Sequence, residues 1–110
     1  MVDKAVLDSI GKLIEALREK DIYVRKVVLY GSYATGSAKN YSDIDVALIS
    51  DRFGKDRVEE RMFLLRLASS IDPRLEPVPF STKVFENDNW IPLVYEIRKN
   101  GIDVSDMVRR

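Results

Sequence analysis

The sequence predicts an α/β domain, a small mixed β-sheet with helices packed against it. Three observations predict this. Apolar residues recur at helical spacing near the N-terminus and again after residue 56. Three short runs, ending at Tyr30, Ile49 and Ser81, are apolar or β-branched and read as strands. Gly, Pro, Asn and Asp punctuate the boundaries between them. With 110 residues the chain is expected to form one domain, residues 1–110, around one core.

The first element, from about Asp3 to Lys20, is an amphipathic helix with Val6, Ile10, Leu13, Ile14 and Leu17 on one face. Tyr23 to Tyr30 follows, and its end, Val27-Val28-Leu29-Tyr30, has the composition of a buried strand. Gly31 stops it, and Gly36, Ser37 and Asn40 keep the next stretch irregular. Ile44 to Ile49 is the second strand. After a turn at Asp51 to Lys55, Asp56 followed by Glu59 resembles a capping box. It opens a helix from about Arg57 to Ser70, expected to bury Val58, Met62, Leu64, Leu65 and Ala68. Asp72-Pro73 ends that helix. Leu75 to Ser81 is extended, and Pro77 and Pro79, which lack ladder donors, mark it as an edge strand. Thr82 to Trp90 reads as a polar loop. Ile91 to Lys99 is a last helix stopped by Asn100-Gly101, and Ile102 to Arg110 is a short tail.

Composition narrows the chemistry. The chain has no Cys and no His. Disulfides, thiol nucleophiles, zinc knuckles, Ser-His-Asp triads and His metal ligands are therefore excluded. What remains is carboxylates, hydroxyls, Lys, Arg, Tyr, or a hard metal ion held by oxygen. Lys plus Arg and Asp plus Glu are 18 each, so the formal net charge is zero and no general nucleic-acid binding is expected. No apolar run approaches the ~18–20 residues that span a bilayer. Asp3, Lys4 and Asp8 interrupt any signal-peptide pattern, so a cytoplasmic location is the expectation.

Two features carry the chemistry. Asp43 and Asp45 flank Ile44 at the start of an apolar strand. Side chains two apart on a strand share a face, with Cα atoms roughly 7 Å apart. Two such carboxylates can share one divalent cation or bridge two, and an Asp inside an apolar strand is costly unless paired. Asp43 could equally be a turn residue. The second feature is Gly31-Ser32, where Gly permits close backbone approach and the hydroxyl and following N–H groups suit an anion. An ordinary strand-ending turn has the same composition. The spacing fits neither a Walker A loop nor a Rossmann fingerprint. A third carboxylate must come from elsewhere. Glu76, near the start of the next strand, can face the Asp pair if the strands are neighbours, and could then join a metal site or take a proton. Asp72, Glu86 and Asp88 are rivals for that position.

Together, Gly31-Ser32, Gly36 and Ser42-Asp43-Ile44-Asp45 resemble the signature of the nucleotidyltransferase superfamily with the DNA polymerase β-like fold. The chain length resembles its minimal nucleotidyltransferase (MNT) family, of the antitoxin type. The resemblance implies a nucleotidyl transfer in which Asp43, Asp45 and Glu76 hold two Mg²⁺ ions. Gly31 and Ser32 would bind the β- and γ-phosphates of ATP, and Glu76 would help activate the acceptor hydroxyl. Lys39, Arg25 or Lys26 could assist the phosphates. Two departures stand out: Thr35 occupies a position where many members carry Arg, and the third carboxylate is Glu rather than the commoner Asp.

The resemblance also implies a partner. Larger members carry a second domain that selects the acceptor, and 110 residues leave no room for one. The family pattern suggests a HEPN-domain RNase toxin that receives AMP on a hydroxyl, plausibly a tyrosine, in a homo- or hetero-oligomer. Two other readings remain open at this point. One is a binding module that neutralises its partner by contact, using Trp90, Leu93, Val94, Ile97 and the Ile102–Val108 tail as an apolar face, although those residues could equally be core. The other is a stand-alone enzyme acting on a small molecule.

Overall fold

The computed structural model describes residues 2–88 and 90–109. Helix α1 spans Lys4–Glu19, and the Asp3 side chain caps it by accepting from the Ala5 N–H at 2.8 Å. Strand β1 is Lys26–Tyr30. The stretch after it, expected to be irregular, contains a single helical turn, α2, at Ser32–Thr35 between Gly31 (φ 71°) and Gly36 (φ 84°). Strand β2 is Ile44–Ile49 and helix α3 is Arg57–Ser69. Asp56 caps α3, accepting from the Glu59 N–H at 3.1 Å. The carboxylate that reaches back is Glu60 rather than Glu59, and it accepts from the N–H groups of Gly54, Lys55 and Asp56.

Strand β3 is Leu75–Phe80. The segment expected as a polar loop instead forms helix α4, Thr82–Asn87, because the Ser81 hydroxyl accepts from the Val84 N–H and Phe85 buries into the core. Helix α5 is Pro92–Asn100, with Pro at its first position. The tail is structured too. Strand β4, Ile102–Asp103, pairs with β1, and helix α6, Ser105–Val108, follows it. The Ser105 hydroxyl accepts from the buried Val27 N–H at 2.9 Å and donates to Asp103 at 2.6 Å, which ties the tail to β1.

The sheet order is β3-β2-β1-β4, with β2 and β3 parallel and the other pairs antiparallel. Strand alternation divides the core in two. Val27, Leu29, Ile44, Val46, Leu48 and Leu75 face α1, α3 and α6. Val28, Ala47, Ile49, Val78 and Phe80 face α4 and α5 through Phe85, Val94 and Ile97. A fully buried Leu or Ile here, such as Leu13 or Leu48, contributes about 1.5–3 kcal/mol relative to exposure. Among the described residues, no helix is long and apolar enough to cross a membrane.

Helix α3 departs from its expected packing. Leu64 and Ala68 are buried, whereas Val58 is 73% and Met62 52% exposed. Its apolar residues occupy nearly the whole circumference, so periodicity alone could not select the inward face. Val94, Ile97, Val104 and Val108 are core, which removes them as a docking face, while Trp90 is left exposed.

Candidate active site

Three residues stand in one row across the sheet. Tyr30 of β1 is the register partner of Asp45 of β2, and Asp45 is the partner of Glu76 of β3. Adjacent strands lie ~4.8 Å apart and registered side chains share a face, so the row gathers a phenol and two carboxylates. It lies on the face covered by α4 and α5, at the end of β1 that runs into Gly31. Ile44 and Val46, pointing the other way, are fully buried. Burial on that side fixes the strand register and so holds Asp45 in the row.

Gly31 lies against Asp45. A Cβ on Gly31 would come 2.3 Å from Asp45 Oδ2, and its φ of +71° lies in the region that side chains avoid. Gly is therefore required twice over at this corner. Ser32 opens α2, and the Gly31 carbonyl accepts from the N–H groups of Ala34 and Thr35. The N–H groups of Ser32 and Tyr33 lie in the first turn, where no intrahelical acceptor precedes them. The Thr35 hydroxyl is engaged locally, with the Ser32 carbonyl at 3.3 Å and the Ser37 hydroxyl at 3.0 Å.

Asp43 is exposed and immediately precedes β2. The loop that delivers it is pinned. The Lys39 N–H donates to Ser42 Oγ at 2.8 Å, the Tyr33 hydroxyl donates to the Lys39 carbonyl at 3.1 Å, and Arg74 Nη1 donates to the Asn40 carbonyl at 3.2 Å. Arg74 is itself held by Asp72 at 2.9 Å, and Asp72 accepts from the Ser9 hydroxyl at 2.8 Å. Asp72 therefore braces the loop. Arg74 holds its carboxyl well below the usual range, at about 2. Asp88, another rival for the third position, is engaged in the turn before α5, where it accepts from the N–H groups of Trp90 and Ile91. Glu86 lies on α4 and lines a pocket shared with Lys26, at the start of β1 and away from Tyr30.

The carboxylates influence one another. Burial pushes the Asp45 carboxyl up, and Asp43 and Glu76 push it further, with Arg61 opposing. The same surroundings raise the Tyr30 phenol to about 12, chiefly by burial and then by Asp45. Arg61, one turn into α3, places Nη2 3.8 Å from Glu76 Oε2. Arg61 and Tyr30 are the two members that sequence reasoning missed. Tyr30 could have been found by pairing Tyr30-Gly31 with the Asp-x-Asp strand as antiparallel neighbours. For Arg61 the only signal was Arg57 and Arg61 at i, i+4 on the helix between β2 and β3. Arg25 pairs with Asp51 at 3.2 Å, and Lys26 starts β1 four residues before Tyr30, roughly 13 Å away along the strand.

Among the described residues, no three acidic side chains converge tightly enough to form a ready-made cation cage. The donor set nevertheless suits a hard divalent cation: Asp43, Asp45 and Glu76 offer oxygen only, and the raised Asp45 carboxyl marks where added positive charge would relieve repulsion.

The structure thus sets a strand-Gly-Ser-turn corner against an Asp-x-Asp strand on a mixed sheet. The family model of the nucleotidyltransferase domain matches residues 10–99, and the chain belongs to that family. Among solved structures, a candidate nucleotidyltransferase from Sulfolobus solfataricus is similar in fold. Its TM-score is 0.64 at 17% identity, over 90% of this chain and 78% of that one. A toxin–antitoxin crystal structure with AMP-PNP is similar with a TM-score of 0.59 at 25% identity, over 89% of this chain and 71% of that one. A comparison with curated proteins finds no match.

Proposed function

We propose that the protein transfers AMP from ATP to a hydroxyl of a partner protein, as the antitoxin of a toxin–antitoxin pair whose toxin is of the HEPN type. The observation that carries this reading is the registered row Tyr30–Asp45–Glu76 beside the Gly31 corner. Membership of the nucleotidyltransferase family and the likeness to a toxin–antitoxin structure with AMP-PNP support it.

In this reading Asp43 and Asp45, with Glu76, would hold two Mg²⁺ ions, which when bound supply positive charge to the triphosphate. Gly31 leaves the backbone bare, so the β- and γ-phosphates approach the N–H groups of Ser32 and Tyr33. The acceptor hydroxyl oxygen bonds to the α-phosphorus. The bond from that phosphorus to the bridging oxygen breaks, and pyrophosphate leaves. Glu76 receives the hydroxyl proton. Tyr30, with its phenol at about 12, stays protonated at neutral pH and can donate to an anionic oxygen. Arg61, 3.8 Å from Glu76, sets a positive charge beside the carboxylates and opposes the rise of the Asp45 carboxyl.

The test is direct. The protein is incubated with Mg²⁺, labelled ATP and the product of the adjacent gene. Label should move to the partner, and Asp43→Asn and Asp45→Asn should each abolish the transfer. Tight binding and neutralisation without any transfer would sink the proposal.

A further inference from the structure

Helix α3 carries two apolar stripes and uses only one. Leu64 and Ala68 face the core, while Val58, Met62 and Leu65, at i, i+4 and i+7, line the outer side together with Val78 and Pro79 of β3. The result is a groove of about 450 Å³ along the β3 edge. Two guanidiniums border it. Arg57 lies over the Phe80 ring at 5.7 Å, and Arg61 lies 3.8 Å from Glu76. None of the described residues lining the groove is acidic.

The edge strand restricts what can dock. The carbonyls of Arg74 and Phe80 accept from Ile44 and Ser50 of the β2 side, so even-numbered residues of β3 face inward and Pro77 and Pro79 face the free edge. Proline has no N–H, so an added strand would find no donor at these two positions. The occupant must therefore dock through side chains. An apolar row at i, i+4, i+7 is the complement of another helix. A second copy of this chain fits poorly, because a two-fold axis through the groove would set Arg57 and Arg61 against their own counterparts.

We infer that this groove docks an amphipathic helix of the acceptor protein, with apolar residues on its inner face and acidic residues opposite Arg57. This rests on the proposed function for the identity of the partner. Because Arg61 lines the groove and also touches Glu76, a helix seated there brings its own chain beside the catalytic row.

The experiment measures binding, without nucleotide, between the adjacent-gene product and four forms of the protein: wild type, Met62→Lys, Arg57→Glu and Trp90→Ala. Met62 and Arg57 are exposed, so circular dichroism should show folded variants. Met62→Lys and Arg57→Glu should each weaken binding at least about tenfold, and Trp90→Ala should leave it unchanged. Unchanged affinity in Met62→Lys overturns the inference, as does the absence of any wild-type complex. A wild-type homodimer in light scattering that Met62→Lys dissolves also overturns it, assigning the groove to a second copy. Repeating the titration with Asp45→Asn separates docking from chemistry. Transfer should be lost while affinity is retained, so the two proposals can fail independently.

Discussion

Asp45 Oδ2 occupies the space that a Cβ on Gly31 would need, 2.3 Å from where that atom would sit. The strand end and the carboxylate are fitted to each other, so Gly31 cannot gain a side chain while Asp45 keeps its place. Gly31→Ala should lower stability by about 1–2 kcal/mol through the positive φ, with an added cost from pushing Asp45 aside. Transfer should fall at least about tenfold as the carboxylate leaves its place. A double-mutant cycle checks the coupling. In an Asp45→Ala background the Gly31→Ala cost should shrink toward the backbone contribution alone. Equal costs in both backgrounds would show that the contact is unimportant.

Asp45 is held charged at some cost. Its folded carboxyl titrates above the ordinary value of 3.8, first because of burial and then because of Asp43 and Glu76. Between the unfolded and folded values the native state therefore binds more protons than the unfolded chain. Stability falls as pH rises through that window and stays reduced above it. Below the unfolded value the contribution vanishes. Asp45→Asn should thus abolish transfer yet raise the melting temperature at pH 7.5 in chelator. The gain should be read as a rise in melting temperature, kept small by solvent screening of the half-exposed carboxylate. It should disappear near pH 3, and a thermal series across pH measures it.

The Asp72–Arg74 pair behaves in the opposite way. Asp72 titrates at about 2, below its ordinary 3.8, because Arg74 and Ser9 bond its charged form. Its contribution is present above 3.8 and lost as pH falls through about 2. Arg74→Ala should cost up to about 2 kcal/mol at neutral pH and flatten the acid limb of the stability curve. Arg74 also anchors the Asn40 carbonyl and the Tyr33 hydroxyl. Hydrogen exchange should therefore quicken in the loop that delivers Asp43.

Arg61 opposes the carboxylates, lowering the Asp45 carboxyl against their push. Arg61→Gln should raise the Asp45 carboxyl further and move the acid limb of the transfer profile to higher pH. Side-chain carboxyl chemical shifts followed through a pH titration would report this. An unmoved Asp45 titration would show that Arg61 is too well solvated to matter.

Much of the site could be read from residues in order. Gly31 had to stop a strand, and Asp45 had to share a face with whatever flanks its strand, since Ile44 and Val46 claimed the other. Glu76 could be named but not placed, because its value depended on β3 lying parallel to β2 in one register. Arg61 was invisible for a related reason: it reaches Glu76 across the β3 edge, from a helix packed on the other face of the sheet. Helix α4 went unread although Ser81 carried the capping signal, because Thr82 to Trp90 shows little apolar period.

The sequence by itself determined the local elements, the Gly31-Ser32 corner, the Asp-x-Asp face and, through the lack of Cys and His, the exclusion of thiol and imidazole chemistry. These are short-range consequences of backbone sterics, side-chain alternation and residue type. Only the tertiary structure decided which stripe of α3 is buried, that the tail becomes β4 and α6, and that Tyr30, Asp45, Glu76 and Arg61 meet. Those outcomes depend on packing between segments tens of residues apart, where competing apolar faces are equal in sequence and only the shape of the assembled core distinguishes them.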